Sequence, residues 1–125
     1  MAVLDASFLE DLDRGHAPAR LLLGALADEG RPLVVPAPVL LVFLAQARDP
    51  ARAHTEIAAR FEVVPFSDAE AERAAHVAKA LKGKERRWVE LAAAGAALLR
   101  GEPLVTAHEH DFENVPGLEV LTYRR

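Results

Sequence analysis

The sequence predicts an α/β fold, a three-layer α/β/α sandwich built around a mainly parallel sheet. Two observations point there. Short apolar runs alternate with longer helical patterns along the chain. Capping residues, prolines and glycines punctuate that alternation where helices should begin and end. There is no internal repeat, low-complexity tract or long linker. The 125 residues are therefore expected to form a single domain, residues 1–125, with enough chain to bury a real core.

The elements follow in order. Ala2-Val3-Leu4 is a short first strand. Ser7-Phe8-Leu9-Glu10 has the form of a capping box opening a helix that ends near Gly15. A second helix, Pro18 to Glu29, starts with proline in its first turn and stops at Gly30. Leu33-Val34-Val35 is the second strand. Val39 to Ala45 fits strand or helix by periodicity alone; Pro38 before it and the continuation through Ala47 favour a helix. Its unbroken apolar run is expected to be buried on several sides, at a dimer or partner interface. Phe61 to Phe66 reads as the third strand, and Ser67-Asp68-Ala69-Glu70 as a capping box for a helix reaching about Leu81. Gly83 separates it from a helix running from about Glu85 to Leu99 and closed by Gly101. Pro103 to Thr106 is the fourth strand. A polar segment, His108 to Glu113, then leads to a last strand at Leu118 to Tyr123.

Composition narrows the function classes. With no cysteine, disulfides and thiolate zinc sites are excluded. A net charge of −4 argues against a strongly basic nucleic-acid platform but not against a nuclease, whose carboxylate metal site is itself acidic. The N-terminus lacks the basic region of a signal peptide, and no apolar run is long enough to span a membrane, so a cytoplasmic protein is expected. No Gly-x-Gly-x-x-Gly or Gly-x-x-x-x-Gly-Lys loop is present to cradle phosphates.

In an open parallel sheet, ligands bind beyond the carboxyl ends of the strands. Asp5 stands at such an end, with Ser7 two residues on. It reads either as one half of an acidic metal site or as a helix N-terminal acid helped by the macrodipole. Glu10 is accounted for by the capping box. After the fourth strand come Thr106, His108, His110 and Asp111, and Asp111 reads as a second site acid or as the cap of a short turn. Glu90 is an acid within an otherwise apolar stretch and a third candidate. His108 and His110, with Asp5 and Asp111, offer a mixed nitrogen and oxygen set suited to Mn²⁺, Zn²⁺ or Fe²⁺; exposed loop histidines are the plainer reading. Arg86 and Arg87 lie about one turn before Glu90, placed either to meet phosphates or to form a solvated helix start. Trp88 is expected in the core or an interface.

Taken together, these segments resemble the PIN domain, and VapC-type toxins in particular, nearly end to end. Val3-Leu4-Asp5-Ala6-Ser7-Phe8-Leu9 resembles the family's opening strand and first acid. Leu33 to Leu40 is similar to the segment leading into its second acid. Ala92 to Leu99 with Gly101 to Thr106 resembles its third-acid helix and fourth strand. Asp111-Phe112-Glu113 followed by Val115 to Leu121 is similar to its C-terminal signature.

The resemblance implies a metal-dependent endoribonuclease toxin using Mg²⁺ or Mn²⁺, an antitoxin protein as partner, RNA as substrate, and a homodimer. It carries Asp5 and Asp111 over directly as catalytic and metal-ligating acids. Glu90 carries over as a longer carboxylate where the family has aspartate. His108 stands where Asn or Asp is common and is a further candidate ligand. Ser7, Thr106, Arg86 and Arg87 are candidate substrate contacts. Val42 stands where the family has a glutamate, so the acidic set is partly degenerate. A PIN-like module kept for dimerisation or partner binding is the competing expectation.

Overall fold

The computed structural model describes residues 1–81 and 87–124. Among the described residues, five strands form one all-parallel sheet. In chain order they are β1 (Ala2–Leu4), β2 (Leu33–Pro36), β3 (Glu62–Val64), β4 (Leu104–Val105) and β5 (Val120–Leu121). Among the described residues there are six α-helices: α1 (Ala6–Asp13), α2 (Ala17–Asp28), α3 (Ala37–Ala45), α4 (Pro50–Arg60), α5 (Asp68–Ala80) and α6 (Trp88–Arg100).

The strand order β3-β2-β1-β4-β5 puts β1 at the centre. Val3 lies opposite Val34 on one side and Leu104 on the other. The chain builds outward from β1 through β2 and β3, then returns to lay β4 and β5 on the other side. The switch point therefore falls between β1 and β4, where such sheets open a crevice. Ala2, Val3 and Leu4 are all fully buried. Because successive strand side chains point to opposite faces, both faces of the sheet must be covered. This is the expected three-layer sandwich.

Helix α6 packs along β1, β2 and β4 and against α3 and α5. Its approach to α5 is unusually close. A Cβ added at Gly95 would lie 2.7 Å from the Ala74 backbone nitrogen and the Glu70 carbonyl oxygen, so only glycine admits this backbone-to-backbone contact. Gly101, with φ +65°, ends α6 in the left-handed conformation expected of a helix stop.

Several boundaries depart from expectation. Asp5, not Ser7, caps α1: its side chain accepts from the Ala6 backbone N–H. Ser7 thus falls inside the helix, and Glu10 has no box to complete. Ser67 does cap α5, with its Oγ accepting from the Glu70 backbone N–H at 3.2 Å; the Glu70 carboxylate closes the turn on the Ser67 hydroxyl, at 3.2 Å, in place of the backbone N–H of a full box. Helix α4 has no counterpart in the sequence reading. Asp49 caps it, Pro50 opens it, and only Ile57 on it is buried, so its apolar signal is faint. The expected strands Phe61 to Phe66 and Leu118 to Tyr123 contract to β3 and β5. Gly83, Glu85 and Arg86 lie outside the described residues.

The apolar helix α3 is less buried than its composition suggests. Val39 and Leu40 are buried, Val42, Phe43 and Leu44 are partly buried against the core, and Leu41 is 67% exposed. Trp88 is not in the core; it is 68% exposed at the start of α6. No described helix is long and apolar enough to cross a membrane.

Candidate metal centre

Asp5 leaves the end of β1 and Thr106 follows the end of β4, so the two meet at the switch point. Asp5 is fully buried. Its Oδ1 accepts from the Ala6 backbone N–H at 2.8 Å, and its Oδ2 accepts from the Thr106 hydroxyl at 2.8 Å. The Ser7 hydroxyl lies 3.3 Å from the same Oδ2 and 3.1 Å from Thr106 Oγ1, and it accepts from the Ala107 backbone N–H at 3.0 Å. Two short hydroxyls thus fix the plane of one carboxylate. Both are buried, so in this structure Ser7 and Thr106 meet Asp5 and offer little surface to a substrate.

The next layer comes from α6 and the loop after β4. Glu90, in the first turn of α6, places Oε1 2.8 Å from His108 Nδ1 and 3.3 Å from the Arg87 guanidinium. His108 is positioned by its own backbone N–H, which donates to Thr106 Oγ1 at 3.1 Å. Ligand atoms of Asp5, Glu90 and His108 all lie within 4.8 Å of one another. The hydroxyl that orients Asp5 therefore also places the histidine facing it.

The electrostatics suit a cation. Burial, then the Glu90 carboxylate, push the Asp5 carboxyl up to about 6, against the opposing pull of the Thr106 and Ala6 hydrogen bonds and of His108. A divalent ion between these groups would relieve both effects, and two carboxylate oxygens with an imidazole nitrogen are a competent donor set. The residues present fit a metal ion.

The structure brings three of the four expected ligands together and leaves one aside. Asp111 lies in the 3₁₀ turn Glu109–Phe112, which buried Phe112 anchors, and is outside the trio. His110 is exposed and pairs with Glu113 at 2.5 Å; that hydrogen bond and the Glu113 charge raise its pKa. Arg87 pairs with Glu90 at the edge of the trio. Val42 contributes no ligand, and no residue from Ala37 to Ala45 is acidic.

His108 and Glu90 are both among the ligands expected from the sequence, but their direct bond to each other is not foreseeable from spacing. Asp11, a second fully buried acid on α1, pairs with Arg14 and accepts from the Tyr123 hydroxyl at 2.6 Å. No local signal links Asp11 to Tyr123, which lies at the far end of the chain.

Solved structures share this architecture. A toxin-antitoxin complex from Klebsiella pneumoniae contains a chain 22% identical, with a TM-score of 0.80 over 98% of this chain and 97% of that one. VapBC-1 from nontypeable Haemophilus influenzae is 17% identical, with a TM-score of 0.80 over 97% of this chain and 96% of its own. Mycobacterium tuberculosis VapC20, described as a sarcin-ricin loop cleaving toxin, is 16% identical with a TM-score of 0.65, over 83% of this chain and 87% of its own. At these identities the likeness is one of fold. No curated protein sequence matches the chain. The family model of the PIN domain matches residues 2–118, and the chain belongs to the PIN domain family.

Proposed function

We propose that this chain is a VapC-type, divalent-metal-dependent endoribonuclease acting in the cytoplasm and restrained by an antitoxin. The observation that carries the reading is the convergence of Asp5, Glu90 and His108 at the strand switch point. Asp5 and Glu90 would hold the ion through oxygen, with His108 beside them, and Asp111 on the adjoining 3₁₀ turn would act from outside this trio. A bound Mg²⁺ or Mn²⁺ supplies a positioned, activated water for in-line attack on an RNA phosphodiester and stabilises the leaving oxygen. Ser7 and Thr106 keep the Asp5 carboxylate in one orientation, so it need not reorganise when the ion arrives. The Arg87 guanidinium, which pairs with Glu90 at 3.3 Å, would in this reading meet the phosphate of the incoming strand. Arg86 belongs to the same reading but lies outside the described residues.

The partner reading draws on the relatives, several of which were solved as VapBC or toxin-antitoxin complexes. On this chain, Leu41 of the apolar helix α3 is left exposed for an antitoxin or for a second copy in a homodimer.

The test is RNA cleavage and ion binding by wild type and Asp5→Asn in Mg²⁺ and Mn²⁺. Cleavage in the variant is expected to fall at least about a hundredfold, with ion binding lost. Equal rates in the two proteins would sink the nuclease reading. A second reading, a PIN module that binds partners without catalysis, is favoured by one observation, the absence of any acid on α3 around Val42. Wild-type protein inert with both ions would select it.

A further inference from the structure

The geometry points to a site for a single ion that takes a first-row transition metal, Mn²⁺, in preference to Mg²⁺, because His108 supplies a nitrogen ligand. This rests on the metal reading of Asp5 and Glu90 given above and concerns which ion that site selects.

Three features of this chain carry it. The first is the donor set. Magnesium takes oxygen ligands in a strict octahedron and parts with its waters reluctantly, whereas imidazole suits transition ions. One of the three converging groups here is an imidazole, and it is built in. The His108 backbone N–H bonds to Thr106 Oγ1 at 3.1 Å while its Nδ1 reaches Glu90 at 2.8 Å. Backbone and ring are thus each anchored beside Asp5 and Glu90 before any ion arrives.

The second is size. Ligands around one small dication sit about 3–4 Å apart, set by bonds of roughly 2.1 Å. The three ligand atoms lie within 4.8 Å of one another, so closing on a single ion requires only small side-chain movements.

The third is charge. Two carboxylates and a neutral imidazole balance one dication. A second ion would need further acids at the crevice, and α3 supplies none. Among the described residues, the other buried acids are Asp11 and Glu70, engaged with Tyr123 and Ser67 respectively.

The experiment is Mn²⁺ binding followed by pulsed electron paramagnetic resonance, with calorimetric competition by Mg²⁺, on wild type and His108→Asp. Wild type is expected to bind one equivalent of Mn²⁺, to show hyperfine coupling to an imidazole nitrogen, and to prefer Mn²⁺ by about tenfold or more. His108→Asp is expected to lose the coupling and most of the preference while still binding ion. Should that variant fail to fold, the wild-type spectrum decides alone. One equivalent of Mn²⁺ bound without nitrogen coupling, or equal affinity for the two ions, would overturn this inference and leave the nuclease reading standing. No binding of either ion would overturn both.

Discussion

Helix α1 carries two fully buried aspartates, Asp5 at its N-cap and Asp11 within its last turns, and their surroundings are opposite. Around Asp11 the neighbours supply positive charge and a donor: the Arg14 guanidinium and the Tyr123 hydroxyl. Around Asp5 the bonding neighbours are hydroxyls and one backbone N–H, and the nearby Glu90 carboxylate adds repulsion. Burying a carboxylate is costly unless a counter-charge comes with it. Asp11 has that counter-charge within the chain and ties the C-terminal segment to α1. Asp5 has no cation among its hydrogen-bonding partners, and the pull of His108 is outweighed by burial and by Glu90; in the proposed function a bound ion would supply the balance. The contrast separates a structural acid from a candidate ligand more sharply than burial, which is the same for both.

The largest effect expected from this contrast is on the pH dependence of stability. Asp5 holds its proton up to about pH 6 in the folded state, against an ordinary value of 3.8. The ion-free folded protein thus binds more protons than the unfolded chain across that window, and stability falls as pH rises through it. The loss amounts to about 3 kcal/mol and is complete above the window. Denaturant unfolding in chelator from pH 4 to 8 should show this slope in wild type and not in Asp5→Asn; parallel profiles would break the comparison. Next in size, Asp11→Ala should destabilise by about 2 kcal/mol at neutral pH, because it removes the buried carboxylate that accepts from the Tyr123 hydroxyl and pairs with Arg14. Unchanged thermal unfolding would mean that Asp11 is not structural. The smallest effect, about 1 kcal/mol, is expected for Tyr123→Phe, which removes one hydrogen bond and leaves the ring packed on Phe8.

Much of the fold was legible because its signals are local. Pro18 in a first turn, the Ser67 cap and the Gly101 stop each work within a few residues, and the structure shows all three. Two failures were also local. Asp5 and Ser7 are both good capping residues, and the sequence does not say which takes the position. Helix α4 turns a mostly charged and alanine-rich surface to solvent, so the apolar periodicity that reveals a helix is nearly missing. The site was half legible. Strand-end position singled out Asp5, and its isolation in an apolar stretch singled out Glu90. Their meeting at His108 depends on the register of β1 against β4 and on how α6 lies across the sheet, which no short spacing encodes. The same holds for Asp111, which the 3₁₀ turn carries away from the trio.

The bond from Thr106 to Asp5 joins residues 101 positions apart. On a ribosome adding about 5–20 residues per second, roughly 5–20 s pass between the making of the first and of the second. Throughout that interval the nascent chain carries Asp5 without the hydroxyl that orients it or the histidine that faces it. A chain broken off before Thr106 therefore has neither the oriented carboxylate nor the facing histidine, and the cluster exists only once β4 and the loop after it have been made.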